Sequence, residues 1–228
     1  MSRVFITGDT HGHHSLFKLS SKAFKTGREL NKDDVVIIAG DFGVIWSNIP
    51  DNEEKYHIKW LNEKRFTTVF IDGNHENFFR LNKFPVIEKW GGKVGVISDS
   101  IFHLRRGEIF EIGGKQIFCF GGAISHDKEI RTLGVSIWDE EVPNCREMDN
   151  ALENLSRYNY SVDYIVTHTA PLSLVHAMGF KNINVDPTIK FLDHIANTVS
   201  FNKWFYGHFH EDCSIDKFHA LFDSILEI

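Results

Sequence analysis

The chain has 228 residues, 42% of them hydrophobic and 13% aromatic, with 20 phenylalanines. That is ample apolar material for one large packed domain. A formal charge of -6 speaks against a dominant surface for long nucleic acid or anionic lipid, because both need clustered lysine and arginine. In chain order, the run RVFIT leads into Gly8-Asp9-Thr10-His11-Gly12. A helix is expected over His14 to Phe24. The run DDVVIIAG then leads into Asp41-Phe42-Gly43, followed by a second helix from Asp51 to Lys64 with Tyr56, Trp60 and Leu61 at helical spacing. FTTVFID leads into Gly73-Asn74-His75-Glu76. The stretch IFHLRRGEIFEIGGKQIFCFGGA alternates and turns at Gly113-Gly114, the pattern of an antiparallel hairpin. A third helix is expected over Asn144 to Tyr158, after which VDYIVTH ends on His168. A final meander of strands runs from WFYGHFH through FHALFDSILEI.

The four short runs that precede the loops are rich in β-branched and aromatic residues, which marks buried strands. Strand, helix, strand in this order implies crossovers in a twisted sheet. The expected architecture is therefore mixed α/β, with helices outside and two sheets packed together. No repeat, low-complexity tract or linker interrupts it, so residues 1–228 read as one domain. Cys119, Cys145 and Cys213 are odd in number and far apart, which suggests buried or incidental thiols in a reducing compartment. The N-terminal MSRVFITGDT lacks the long apolar region of a signal peptide, and no apolar run approaches a bilayer span. A soluble, cytoplasmic protein is the expectation.

Asp9, His11, Asp41, Asn74, His75, His168, His208 and His210 all fall where a predicted strand gives way to a loop. In α/β sheets, sites assemble at the carboxyl ends of strands. Carboxylate, imidazole and amide oxygen are ligand types accepted by manganese, iron and zinc. No thiol is among them, which argues against a structural zinc site. Asp9, His11, Asp41, Asn74, His168, His208 and His210 are too many for one ion. Two ions sharing Asp41 would each receive four protein contacts and leave room for a bridging water, an arrangement suited to phosphoryl transfer.

In order, Asp9-x-His11, Gly40-Asp41, Gly73-Asn74-His75-Glu76, His168 and Gly207-His208-x-His210 resemble the signature of the calcineurin-like metallophosphoesterases. The resemblance implies a four-layer α/β/β/α sandwich of two mixed sheets flanked by helices. It implies one divalent ion, manganese in preference to iron or zinc, on Asp9, His11, Asp41 and His210. It implies a second on Asp41, Asn74, His168 and His208. His75 would contact the phosphate and aid leaving-group departure while a metal-bridging hydroxide attacks phosphorus. The implied activity is hydrolysis of small phosphate mono- or diesters. The protein Ser/Thr phosphatases of this superfamily carry a further Asp and Arg where this chain has Val44 and Ile45. The chain therefore looks more like small bacterial and phage-type members. Two alternatives stay open: a protein-interaction scaffold of the same fold, and a hydrolase of small nucleotides or dinucleotides.

Several residues admit more than one role. Glu76 either caps a helix starting near Asn77 or supports His75. Arg131, or less readily Lys128, either contacts substrate phosphate in place of the missing arginine or closes a local turn with Ser125 and Asp127. Asp72 reads as a turn residue, and Arg105 and Arg106 as a solvated turn. Trp46 and Trp138 read as core rather than cleft wall, and His13 as a solvated or capping residue. His57, His103, His126, His176, His194 and His219 read as ordinary surface or core histidines. Oligomeric state has no signal in the sequence.

Overall fold

Strand β1 (Val4–Thr7) buries both of its faces. Val4 and Ile6 enter one apolar cluster while Phe5 enters another. A strand apolar on both faces must be covered on both, and that requirement organises the whole molecule. The computed structural model describes residues 2–125, 127–180 and 185–228. After β1 come β2 (Val35–Ile38), β3 (Thr67–Phe70), β4 (Val86–Lys89), β5 (Gly92–Ser98) and β6 (Ile101–Leu104). These six, joined by the last strand β13 (Ile225–Glu227), form one sheet in the order β13-β1-β2-β3-β6-β5-β4. The intervening strands are β7 (Glu108–Ile112), β8 (Lys115–Phe120), β9 (Tyr164–Thr167), β10 (Lys203–Tyr206), β11 (Cys213–Ile215) and β12 (Phe218–Ala220). They form the second sheet, in the order β11-β12-β10-β9-β8-β7.

The sheets stack face to face. Val4, Ile6, Val35, Ile37 and Val69 of the first pack with Phe110, Ile117, Val166 and Phe205 of the second. On the outer face of the first sheet, Phe5, Val36, Ile38 and Phe70 pack under helices α1 (Asn52–Asn62) and α2 (Phe78–Leu81) through Leu61 and Leu81. On the outer face of the second, Phe118, Ile165, Trp204 and Tyr206 meet α3 (Cys145–Arg157), α4 (Leu172–Ala177) and α5 (Pro187–Thr198). The result is the expected α/β/β/α sandwich. No helix among the described residues is long and apolar enough to cross a membrane.

Both predicted helices that carry an N-cap form: Asp51 accepts from Glu54 N, and Asn144 with Glu147 makes a capping box. The helix expected over His14 to Phe24 does not. That segment makes one 3₁₀ turn, Leu16–Leu19, which ends where Ser20 turns extended at ψ 153°, and a second turn, Lys25–Arg28, follows it. The i, i+3 spacing of the buried Leu16 and Leu19 suits a three-residue turn as well as an α-helix. The final meander also differs from expectation. β10 pairs with β12 in parallel, and β13 leaves for the other sheet, where it lies antiparallel to β1. Arg3 clamps that edge by a bidentate pair with Glu227, both contacts at 2.7 Å.

Candidate metal centre

Strands β1, β2 and β3 run parallel with Thr7 opposite Ile38 and Ile38 opposite Phe70. The loops after them therefore start level, and Asp9, Asp41 and Asn74 stand side by side. In the second sheet Thr167 lies opposite Tyr206 in parallel β9 and β10, which sets His168 beside the Gly207-His208 turn. Four candidate ligands hold left-handed backbone: His11 at φ 45°, Asp41 at 46°, His208 at 70° and His210 at 53°. Non-glycine residues adopt this region at a cost that functional sites commonly carry. The loops are tied down locally. Thr10 N and His11 N donate to Asp41 O at 3.0 and 2.8 Å, and Lys18 Nζ donates to Asp9 O at 2.7 Å, Gly8 O at 3.1 Å and Phe222 O. Two glycines are demanded by close approach. A Cβ at Gly73 would stand 2.0 Å from Asp41 Oδ1, and one at Gly207 would stand 2.0 Å from Asp9 Oδ1.

The donors fall into two groups that share Asp41. In the first, ligand atoms of Asp9, His11, Asp41 and His210 all lie within 4.8 Å of one another. His11 Nε2 is 2.9 Å from His210 Nε2 and 3.5 Å from Asp41 Oδ2, and His210 Nε2 is 3.1 Å from Asp9 Oδ2. In the second, His168 Nε2 is 3.0 Å from Asn74 Oδ1 and 3.3 Å from Asp41 Oδ1. The His208 ring centroid is 4.9 Å from that of His168, and His208 N donates to Asp9 Oδ1 at 2.9 Å.

These contacts are short of protons. His168 Nδ1 donates to Ala39 O at 3.0 Å, so Nε2 faces two more oxygens and must carry either a proton or a cation between itself and them. Buried acceptors converging in this way call for a cation. Burial alone would lower the basicity of His168, but Asp41 and Asp9 lift it to about 10. Burial likewise raises Asp9 and Asp41, yet the surrounding histidines hold both carboxyls below the usual range. The set of carboxylate, imidazole and amide oxygen fits a divalent ion.

The sequence profile of the calcineurin-like phosphoesterases matches residues 2–212. The chain belongs to this family. No curated protein matches it. Among solved structures, this phosphoesterase is similar to the Thermus thermophilus sulfate thiohydrolase SoxB in complex with glycerol, with 11% identity and a TM-score of 0.44. The similarity covers 98% of this chain and 51% of that one, so the phosphoesterase spans about half of that protein's length.

His75 stands at the mouth of the site, its ring 4.9 Å from that of His11, and its backbone N–H donates to Asp41 Oδ1 at 2.8 Å. Burial lowers its basicity to about 4, with Arg131 adding to the effect and Asp41 opposing it. Arg131 makes the local ion pair weighed for it and also reaches His75. Its Nε pairs with Asp127 at 2.8 Å, and a second guanidinium nitrogen lies 2.7 Å from His75 Nε2. Trp46 stacks on His75 with ring centroids 5.8 Å apart and lines the cleft, whereas Trp138 is buried. The cleft, about 630 Å³, opens from His11, His75 and His210 toward His13, His57 and Glu53. At its edge exposed His13 pairs with Glu53 at 2.6 Å. Val44 and Ile45 are core residues of the outer layer. Among the histidines read as ordinary, His126 lies outside the described residues.

Three readings need correction. Glu76 neither caps α2 nor touches His75. Its fully buried carboxylate accepts from Phe42 N at 2.7 Å, shaping the loop that carries Asp41, while Asn77 caps the helix. Arg106 is not solvated. It is buried against Asp72, at 2.6 Å, and Glu147, at 3.1 Å. Asp72 is accordingly more than a turn residue, since His103 also reaches it at 2.9 Å. The partners lie just after β3, on β6 and on α3, too far apart in sequence to leave a local signal. Arg106→Met should cost about 3–5 kcal/mol in denaturant unfolding, because it strands a buried carboxylate. Burial raises the Asp72 carboxyl, but the Arg106 charge and His103 hold it below its ordinary value. The pair therefore stabilises above the unfolded value of about 3.9 and its contribution fades as pH falls below that.

Proposed function

We propose that this phosphoesterase is a dinuclear, metal-dependent hydrolase of small phosphate mono- or diesters. One observation carries the reading: Asp41 presents Oδ2 to the first donor group, 3.5 Å from His11, and Oδ1 to the second, 3.3 Å from His168. When bound, a pair of divalent cations, manganese in preference to iron or zinc, supplies an acidified water as nucleophile and neutralises phosphoryl charge. Asp9, His11, Asp41 and His210 would hold one, and Asp41, Asn74, His168 and His208 the other.

The rest is work for the chain's own side chains. Hydrolysis forms a P–O bond from water and breaks the ester P–O bond, and the leaving oxygen must gain a proton. Arg131 donates to His75 Nε2, so the neutral ring carries its proton on Nδ1. An arriving phosphoryl anion draws the guanidinium to itself. That removes the positive neighbour depressing His75 and frees Nε2 to take up the proton released by the attacking water and hand it to the leaving oxygen. Arg131→Ala should therefore lower kcat/KM by about 10–100-fold, the range for a hydrogen bond to a charged group, with metal content unchanged by elemental analysis.

The cleft supports a choice of leaving group. Among the described residues no lysine or arginine lines it, and Trp46 offers an aromatic wall. A flat, neutral leaving group suits it better than a polyphosphate or a long nucleic acid. A small nucleotide ester is the second reading that this wall favours. Three free cysteines accord with a cytoplasmic location. Turnover of an aryl phosphate and a bis-aryl phosphodiester with added manganese tests the proposal. Inactivity toward both, with metal bound, would favour the interaction scaffold. Manganese at about a hundred times Kd should raise the melting temperature of chelator-treated protein by roughly 5–10 °C.

A further inference from the structure

We infer that Ser125 and Glu141 are positioning residues for Asn74, fixing which end of its amide faces the second donor group. The inference rests on the dinuclear reading above. Asn74 Nδ2 donates to Ser125 Oγ at 3.0 Å, and Ser125 Oγ donates to Glu141 Oε2 at 2.6 Å. Asn74 is 4% exposed, Ser125 2% and Glu141 2%, so water does not compete along this chain of three side chains.

Its polarity is dictated from the far end. Burial raises the Glu141 carboxyl, while the bonds it accepts from Ser125 and Trp138 N favour its ionised form; an ionised carboxylate only accepts, so the single hydroxyl proton of Ser125 goes to Glu141. The Ser125 oxygen then has only lone pairs for Asn74, which must meet them with its NH₂. The amide oxygen is left facing His168 Nε2 at 3.0 Å, the orientation in which it can ligate a cation. Without the relay the amide could rotate by half a turn and turn its NH₂ toward the second donor group, where it offers nothing to a metal. Glu141 is anchored in its own right, accepting from Trp138 N at 3.3 Å through its other oxygen. The loop that carries Ser125 is pinned where Gly122 N donates to Asp72 O at 2.9 Å.

The test is manganese titration of chelator-treated protein, read by calorimetry and by the electron paramagnetic resonance signal of a coupled ion pair. Wild-type protein should take up two ions. Ser125→Ala should retain the affinity of the first and lose about 10–100-fold for the second, as expected when a ligand's outer partner is removed. The coupled signal should fall at equal manganese. Ser125→Thr, which keeps the hydroxyl, should restore both. Glu141→Gln can turn either end of its amide to Ser125, and should weaken the second ion about tenfold. It carries the test if Ser125→Ala does not fold. Unchanged affinity for the second ion in these variants, with two ions on the wild type, would overturn the inference alone. Fewer than two ions on the wild type would overturn the dinuclear reading and the inference with it.

Discussion

Asp41→Asn should leave a folded protein that holds neither its full metal complement nor its activity. The wild-type carboxylate gives one oxygen to each donor group and also accepts the His75 backbone N–H at 2.8 Å. Asparagine supplies one oxygen and one NH₂, so whichever way it turns, one group receives a donor where it needs an acceptor. The variant also loses the negative charge that sits between His11 and His168. Bound metal, measured after desalting, should fall from two equivalents toward one or none. Turnover should fall by at least about a thousandfold, the upper range for removing one electrostatic contact to the reacting group. Retention of both ions would show that Asp41 does not bridge the two groups.

His75→Ala should behave in the opposite way, keeping its metal while losing about 10²–10⁴-fold in kcat, the usual worth of a positioned proton-transfer group. The side chain lies beside the ligand groups rather than among them. Its contacts are the His11 ring edge, the Trp46 face and the Arg131 guanidinium. Burial holds the free ring at about 4, so it is neutral at pH 7 and exerts no charge repulsion on the site when substrate is absent. Unchanged metal content separates this variant from Asp41→Asn. A His75 variant that lost its ions would place the residue among the ligands and undo the division of roles.

What could be read from the sequence was whatever repeats a local grammar. An apolar β-branched run ending in glycine and then Asp, Asn or His occurs after β1, β2 and β3, and parallel register brings those loop residues together. Helices α1 and α3 announced themselves by caps. Helix α5 carried equal signals, Asp186 as cap and Pro187 in the first turn, and went unread. The His14 to Phe24 segment failed for the converse reason: apolar spacing without a cap does not distinguish an α-helix from successive 3₁₀ turns. Arg106, Glu76 and the Ser125–Glu141 relay were opaque on physical grounds. Each is a polar group whose burial depends on a partner 16 to 41 positions away. Nothing near them in the chain discloses that partner.

The span of the donor set, from Asp9 to His210, bears on how the protein matures. A nascent chain still waiting for residue 208 has Asp9, His11 and Asp41 outside the ribosome but lacks both histidines of the Gly207 turn. It also lacks β13, the strand that closes the edge beside β1. An early fragment thus offers only a partial and open cage, and the full donor set exists only after the Gly207 turn has joined it. Parallel pairings between distant segments form slowly, so the scaffold has to find its own shape before its two ends can share one site.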